Sequence, residues 1–391
     1  MLARSHLVLR IAAGLLAGLA GGPALAGSGV PKHMAPIPAA MLSLMAGKDT
    51  GPAAPILIRT FKKEAELEVW KKARNGRFVL LKTFPICRWS GQLGPKRKEG
   101  DRQTPEGFYA VTPALMNPNS AHYLSFDTGF PNAFDRAQGA TGSYLMVHGT
   151  CSSRGCFAMT DAAMGEIYAL AREAFAGGQR AFQFQGFPFR MTAANMVKHR
   201  QDPHIGFWRQ LKEGADRFEA TFEEPIVGVA AGRYTFRSAG PEGEAKASAR
   251  RAEEEARIAA LIEEGPAAIR TTYADGGQHA SFRALSRAGA WLGEISRPET
   301  LALAGREVIV TPARPKPPTQ VAEVKAVKSW PVAPDLGALQ GAPKPLPDEP
   351  SLFVFTALNQ SPAVGEPPIA GSLRIVPARL TEMAPLVLAP I

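Results

Sequence analysis

The strand pattern at residues 56–84 constrains the fold of this chain more than any other feature of its sequence. Residues 66–69 alternate between glutamate and an apolar side chain, which is typical of a strand with one buried face. Apolar runs flank this segment at 56–61 and 78–84, and Asn-Gly at 75–76 is typical of a two-residue hairpin turn. The sequence therefore predicts a sheet of neighbouring strands in this part of the chain.

A histidine and a cysteine lie close together in the segment Tyr144–Asp161. An apolar run ends at His148, and eight residues later a Ser-x-Gly-Cys sequence presents Cys156. A thiol is a strong nucleophile only as thiolate, and a nearby imidazole is the usual means of generating one. Gly149 and Gly155 allow the backbone to turn sharply between the two residues. The pattern favours nucleophilic catalysis over a buried structural cysteine beside a core histidine.

A helical pattern follows this segment. Thr160 or Asp161 is suited to cap the helix, and apolar residues recur at helical spacing from 164 to 175. Cys156 is therefore expected just before a helix N-terminus, where the backbone dipole favours the thiolate. A second helix is predicted at about 204–218.

Upstream segments extend the likeness to a known family. Ser90–Lys96 reads Ser-Gly-Gln-Leu-Gly-Pro-Lys, and Glu99–Tyr109 contains Gly-Asp-Arg-Gln-Thr-Pro-Glu-Gly. Together with His148-Gly and Ser-x-Gly-Cys156, they resemble the L,D-transpeptidase (YkuD-like) catalytic domain. The resemblance covers about residues 53–237. It implies a mainly β fold, a sandwich or partly closed barrel with a few packed helices.

The resemblance also implies roles for the motif residues. Cys156 would attack a peptide carbonyl and form a thioester, and His148 would act as the base. The backbone amides of Cys156 and Gly155 would stabilise the oxyanion, and the carbonyl of Gly149 would orient the imidazole. The Ser153 hydroxyl is expected to cap the turn, not to take part in catalysis.

Two positions depart from the pattern of many family members. Arg154 stands in place of a second histidine, and Ala158 stands where an arginine or asparagine is common. Arg154 is a candidate for binding a substrate carboxylate, because its guanidinium presents forked donors. A solvated, exposed arginine is the alternative. The segment Gly155–Asp161, which reads Gly-Cys-Phe-Ala-Met-Thr-Asp, resembles the family branch that includes a peptidoglycan–lipoprotein amidase.

The function predicted from these features is that of a cysteine acyltransferase acting on peptidoglycan stem peptides, which would cross-link the wall or attach proteins to it. A peptidoglycan–protein amidase, using the same chemistry with water as acceptor, is one alternative. A non-catalytic wall-binding protein is another. A wall-anchored outer-membrane protein or lipoprotein is a further candidate partner, and no cofactor is expected.

A zinc site is the strongest reading that does not depend on the resemblance. His148, Cys151 and Cys156 form His-x2-Cys-x4-Cys, which supplies three plausible ligands. A fourth ligand at a recognised spacing is missing nearby, and bound zinc would occupy the thiolate. No metal is therefore expected.

The N-terminus predicts export. Two arginines, an apolar stretch at 11–22 and Ala-Leu-Ala at 24–26 form a signal peptide over residues 1–26, so the protein is expected in the periplasm. Three cysteines in an exported chain leave at least one unpaired, and Cys156 is expected to be free. Cys87 and Cys151 either pair or serve as small apolar side chains. The net charge of +10 suits a carboxylate-rich wall polymer, and export argues against nucleic acid. A basic surface that serves solubility is the alternative.

The composition changes after the predicted catalytic domain. Residues 238–391 are interpreted as a low-complexity, largely disordered extension. An exposed helix is predicted at 245–264, where alanine, glutamate and arginine predominate. Ten prolines between Pro312 and Pro350 exclude regular structure from most of that stretch.

Overall fold

The computed structural model describes residues 29–289 and 295–314 of the 391-residue chain. The predicted signal peptide and the part of the predicted extension beyond residue 314 lie outside the described residues. Within the described ranges, no helix is both long enough and apolar enough to span a bilayer.

Strands outnumber helices in the described residues. The strands are β1 (Ile56–Phe61), β2 (Glu66–Lys72), β3 (Phe78–Pro85), β4 (Arg88–Trp89), β5 (Gly107–Val111), β6 (Met116–Asn117), β7 (Ser125–Asp127), β8 (Met146–His148), β9 (Phe157–Ala158), β10 (Phe182–Phe187), β11 (Ile226–Ala230), β12 (Arg233–Arg237), β13 (Ala268–Thr272) and β14 (Arg306–Thr311). The helices are α1 (Ala39–Gly47), α2 (Ala133–Ala137), α3 (Asp161–Ala176), α4 (Ala193–Lys198), α5 (Ile205–Thr221), α6 (Pro241–Glu263) and α7 (Ala280–Arg287).

Two five-stranded sheets carry most of the β structure. The first has the order β3-β2-β1-β10-β5, and the second has the order β4-β9-β8-β7-β6. The predicted hairpin is confirmed, because β2 pairs antiparallel with β3. Its turn is longer than the predicted two residues, since the Ala73 amide donates to the Arg77 carbonyl at 2.8 Å and leaves three residues, 74–76, in the loop. Two pairs are parallel, β1 with β10 and β8 with β9. The second of these positions the candidate catalytic residues.

Aromatic side chains pack the two sheets against each other. Phe126 of β7 lies 5.4 Å from Phe182 of β10, and Phe157 of β9 lies 5.5 Å from Phe184, measured between ring centroids. All four rings are fully buried. Burial of each ring contributes roughly 1.5–3 kcal/mol. The predicted fold class, mainly β with a few packed helices, is confirmed.

The predicted C-terminal extension differs from expectation in the described residues. It contains two helices, α6 and α7, and the antiparallel pair β13–β14. α6 lies against α5 through charge pairs, Lys212–Glu254 at 2.7 Å and Arg217–Glu244 at 2.6 Å. A helix that packs through charged side chains has the same composition as a solvated helix. The pattern of residues 245–264 therefore predicted the helix but not its packing.

A buried ion pair holds the loop that leads into β5. Lys62 Nζ lies 2.8 Å from Glu106 Oε1, and both side chains are fully buried. Glu106 also accepts hydrogen bonds from the Gly94 amide at 2.7 Å and from Trp208 Nε1 at 2.9 Å. Lys62 donates to the carbonyl oxygen of Thr104 at 3.0 Å. Burial lowers the pKa of Lys62, and Glu106 partly offsets this effect.

Glu106→Gln should destabilise the protein, because it leaves the buried Lys62 ammonium without its carboxylate. Breaking such a pair typically costs about 3–5 kcal/mol of unfolding free energy. Urea unfolding measures the change. A matched control is Glu242→Gln, which breaks the exposed Glu242–Lys246 pair and should have little effect. Equal unfolding free energies for Glu106→Gln and the wild type would show that the Lys62–Glu106 ion pair does not stabilise the fold.

Candidate active site

The parallel pairing of β8 with β9 brings the predicted histidine and cysteine together. Val147 is aligned with Phe157, and His148 with Ala158. Extending this register by one residue places Cys156 opposite Met146, whose amide donates to Cys156 Sγ at 3.4 Å. Because residues two apart on a strand share a face, His148 and Cys156 lie on the same face of adjacent strands.

The His148 ring is buried and its tautomer is determined by one contact. Its Nδ1 lies within hydrogen-bonding distance of the Gly149 carbonyl oxygen. A carbonyl oxygen only accepts, so Nδ1 carries the proton and Nε2 keeps the lone pair needed by a base. The His122 ring stacks on His148 with centroids 4.6 Å apart.

Burial keeps His148 neutral at physiological pH. It lowers the pKa of His148 to about 4, against the opposing effect of the Gly149 carbonyl. His122 lowers the pKa further, and Asp161 raises it slightly. The resting imidazole is therefore unprotonated and available to accept a proton.

Cys156 is the free cysteine of this chain, and its thiol is also neutral at rest. Burial raises the pKa of Cys156, with a smaller contribution from Asp127, while the Met146 amide and Lys96 oppose the shift. The thiol donates to the Tyr144 carbonyl at 3.8 Å. Among the hydrogen bonds of the described residues, none joins Sγ to the His148 ring.

This result differs from the expected thiolate at a helix N-terminus. α3 begins at Asp161, with the Thr160 hydroxyl accepting from the Ala163 amide at 3.2 Å as its N-cap. Cys156 lies several residues before that end. The helix dipole acts only over the first turn, so burial dominates the pKa of the thiol.

The Ser153 hydroxyl organises the turn before the nucleophile. It accepts from the amides of Gly155 at 3.2 Å and Cys156 at 3.1 Å, and donates to the Cys156 carbonyl at 2.8 Å. Gly155 has a φ of +142°, a conformation that favours glycine. The two amides expected to face a substrate carbonyl are thus bonded to Ser153, which occupies the position of a turn cap.

Gly149 is required by the close approach of its neighbours. A Cβ at this position would lie 2.5 Å from Asp161 Oδ1 and 2.9 Å from Tyr123 Cβ. The same Asp161 oxygen accepts from the Thr150 amide at 2.8 Å. A side chain at residue 149 would therefore displace the loop that follows the histidine.

A disulfide between Cys87 and Cys151 anchors the loop between His148 and Cys156. Both of its cysteines are buried. The disulfide decides the question that the sequence left open. It also removes Cys151 from the zinc set, because a disulfide sulfur is not a thiolate ligand. Among the described residues, no group of three or more histidine, cysteine or acidic side chains is arranged to hold a metal.

The remaining predicted residues divide between surface and interior. Arg154 is exposed and makes no hydrogen bond or ion pair with the described residues. Its guanidinium is thus accessible to a ligand. Ala158 is fully buried in β9.

Sequence reasoning did not assign catalytic or positioning roles to His122 and Asp161. His122 lies shortly before β7, which pairs antiparallel with β8, with Ser125 opposite His148. The stacking of His122 on His148 follows from this pairing of strands. No local sequence motif predicts the pairing. Asp161 was recognised as a helix cap, while its contacts with the histidine loop depend on the tertiary fold.

Comparison with known proteins gives the chain clear relatives. Residues 58–177 match the YkuD family model, described as the L,D-transpeptidase catalytic domain. "Putative L,D-transpeptidase YafK" of Escherichia coli (strain K12) is 45% identical over 181 residues, which cover 46% of this chain and 73% of that protein. The protein of the same name from Escherichia coli O157:H7 matches equally.

Two solved structures show weaker likeness. The helical cell shape determining protein Pgp2 from Campylobacter jejuni is 15% identical, with a TM-score of 0.28 over 59% of this chain and 80% of that one. Bd1075 of Bdellovibrio bacteriovorus is 14% identical, with a TM-score of 0.25 over 54% of this chain and 57% of that one.

The alkylation of Cys156 should follow the pKa of a neutral, buried thiol. The rate of labelling by iodoacetamide should rise with pH and show its inflection above the value of a free cysteine, because burial raises this pKa. His148→Ala should leave the inflection nearly unchanged, since the resting pair shares no hydrogen bond. Intact-mass spectrometry measures the labelling, and Cys156→Ala is the blank. A labelling plateau between pH 5 and 7 that disappears in His148→Ala would instead reveal a thiolate–imidazolium pair.

Proposed function

The chain belongs to the L,D-transpeptidase family of YkuD catalytic domains, and on that premise we propose that it is an exported cysteine acyltransferase. Its substrates are peptidoglycan stem peptides, and its intermediate is a thioester on Cys156. One observation carries the proposal. The β8–β9 pairing presents a free thiol and a histidine with an unprotonated Nε2 on the same face of one sheet.

The first half-reaction forms the thioester. As Sγ approaches the substrate carbonyl carbon, its proton passes to Nε2 of His148, so the thiolate is generated only during attack. The C–N bond then breaks, and the departing amine takes the proton from Nε2. The Nδ1–H contact with the Gly149 carbonyl keeps the ring oriented throughout and stabilises the transient imidazolium.

The second half-reaction transfers the acyl group to an acceptor. An incoming amine gives its proton to Nε2 and attacks the thioester carbon. The C–S bond then breaks, and Nε2 returns the proton to Sγ, which restores the Cys156 thiol. Water at the same position would yield a free carboxylate, which is the amidase alternative. Arg154 is proposed to bind a substrate carboxylate, because its guanidinium is exposed and makes no ion pair with the described residues.

The disulfide supports export. Disulfides persist in oxidising compartments such as the bacterial periplasm and are rare in the cytosol. Cys87–Cys151 is therefore consistent with the signal peptide expected at residues 1–26. The net charge of +10 suits contact with an anionic wall polymer.

Cys156→Ala should abolish covalent acylation while preserving the fold. Since the family is acylated by carbapenems, intact mass should show one adduct on the wild type and none on the variant. His148→Ala should slow adduct formation on the order of 10²–10⁴-fold, because it removes the base. Thermal melting serves as the folding control. An adduct retained in Cys156→Ala would exclude this residue as the nucleophile.

The products should be mainly those of transfer to an amine. The thiol is only partly exposed, so an amine bound beside the thioester competes well against bulk water. The mature protein is incubated with wall fragments bearing free stems, and separately with wall carrying a covalently attached protein. Mass spectrometry then counts new stem-to-stem or stem-to-protein bonds against released protein, with Cys156→Ala as the blank. Released protein with a free stem carboxylate as the dominant product would contradict transfer and support the amidase.

A further inference from the structure

Residues 295–300 contact the turn that precedes Cys156 through Ser296, and residues 273–279 contact residues 89–92 and Arg102 beside it. We name these two segments the C-terminal clasp. Both segments lie outside residues 58–177, the part that matches the family model. Both also fall within the region that composition alone assigned to a disordered extension. The contacts that the clasp makes near Cys156 therefore lie outside the residues that match the family model.

Ser296 of the clasp forms hydrogen bonds with both the amide and the carbonyl of Ser153. Ser296 Oγ accepts from the Ser153 amide at 2.9 Å and donates to the Ser153 carbonyl at 3.1 Å. The Ser153 hydroxyl in turn accepts from the Cys156 amide. Ser296 is therefore connected to the proposed nucleophile by hydrogen bonds through one intervening residue, Ser153.

A second clasp residue holds the arginine that reaches the same turn. Asp275 is buried and accepts from Arg102 Nη2 at 2.6 Å and from the Gly91 amide at 3.1 Å. Arg102 Nη2 also donates to the Ser153 carbonyl at 3.3 Å. Burial acts to raise the pKa of Asp275, but the Arg102 and Gly91 bonds outweigh it and hold this pKa below its usual range. The carboxylate is therefore charged at neutral pH.

The clasp is fixed to the sheet that carries the nucleophile. Trp89 donates from its amide to the Gly277 carbonyl at 3.0 Å, and the Gly277 amide donates back to the Trp89 carbonyl at 3.1 Å. Trp89 is part of β4, which pairs with β9 immediately after Cys156. Gly276 approaches so closely that a Cβ there would lie 1.9 Å from the Trp89 carbonyl oxygen. The clasp therefore extends the second sheet at β4.

We propose that Ser296 and Asp275 are positioning residues, which hold the Ser153–Cys156 turn so that the thiol faces the substrate carbonyl. Ser296 acts directly through the Ser153 backbone, and Asp275 acts through Arg102. The proposal rests on the proposed function in one respect, that Cys156 is the nucleophile. The two positioning residues lie outside residues 58–177, the part of the chain that matches the family model.

The test compares Ser296→Ala with Ser296→Thr in the full mature chain. The alanine variant should lower the maximal rate constant of carbapenem acylation about 10- to 100-fold, because a loosened turn misplaces the thiol. The carbapenem concentration at half-maximal rate should stay the same, and the threonine hydroxyl should restore the rate. Asp275→Asn should give the same loss, with rescue by Asp275→Glu. Ser281→Ala is the matched control, since its hydroxyl bonds the His279 ring and not the turn.

Alkylation of Cys156 gives a readout that does not depend on acyl transfer. In Ser296→Ala the inflection of the iodoacetamide rate should fall toward the value of a free cysteine, because a loosened turn exposes the thiol to water. An unchanged acylation rate and an unchanged alkylation profile in Ser296→Ala would overturn the proposal. A loss of acylation that Ser296→Thr fails to restore, accompanied by a lower melting temperature, would also overturn it. A wild type that carbapenems do not acylate would refute the proposed function alone, and the alkylation profiles would still decide the clasp.

Discussion

The active site depends on an unusually short parallel crossover. β8 and β9 run parallel as neighbours, yet only residues 149–156 connect them. Parallel neighbours normally need a dozen or more connecting residues. Here the chain reverses twice within eight, and each reversal has a local support. Gly149 permits the close approach of Asp161. The disulfide fixes the middle of the connection at Cys151, and the Ser153 hydroxyl bonds the amides of the last turn. The candidate nucleophile, Cys156, is therefore positioned by the geometry of this connection.

This placement also determines the charge state of the pair. His148 is buried and Cys156 is only partly exposed, and loss of solvent contact disfavours the charged form of each. The histidine pKa falls to about 4 and the cysteine pKa rises, so the resting site contains a neutral thiol and a neutral imidazole. Such a site protects its thiol from adventitious oxidants, because the thiolate is the reactive species. In the proposed mechanism, proton transfer from Cys156 to His148 is then coupled to attack on the substrate.

The C-terminal region, which contains α6 and the clasp, packs against the catalytic domain and contacts the turn before Cys156. Its helix α6 is attached to α5 by charge pairs, and its clasp is attached to β4 by backbone hydrogen bonds. The clasp is also held by an aromatic contact, since Tyr273 packs against Trp89 of β4 with ring centroids 4.7 Å apart. The charge pairs of α6 give this helix the composition of a solvated one. Ser296 bonds the backbone of the turn before Cys156 directly, and Asp275 acts on it through Arg102. The residues that match the family model include the candidate nucleophile and base, and the C-terminal region supports the turn before Cys156.

Local sequence patterns determined much of this protein. Alternation and the Asn-Gly turn predicted β1 to β3, because a period of two and a hairpin turn are properties of short segments. The Ser-x-Gly-Cys motif with its upstream histidine located the candidate nucleophile and base for the same reason. Tertiary structure alone decided the pairing of Cys87 with Cys151, the stacking of His122 on His148, and the contact of Ser296 with Ser153. It also set the two pKa shifts. These features join residues distant in sequence or depend on burial, and burial is a property of the packed molecule, which no local pattern of side chains encodes.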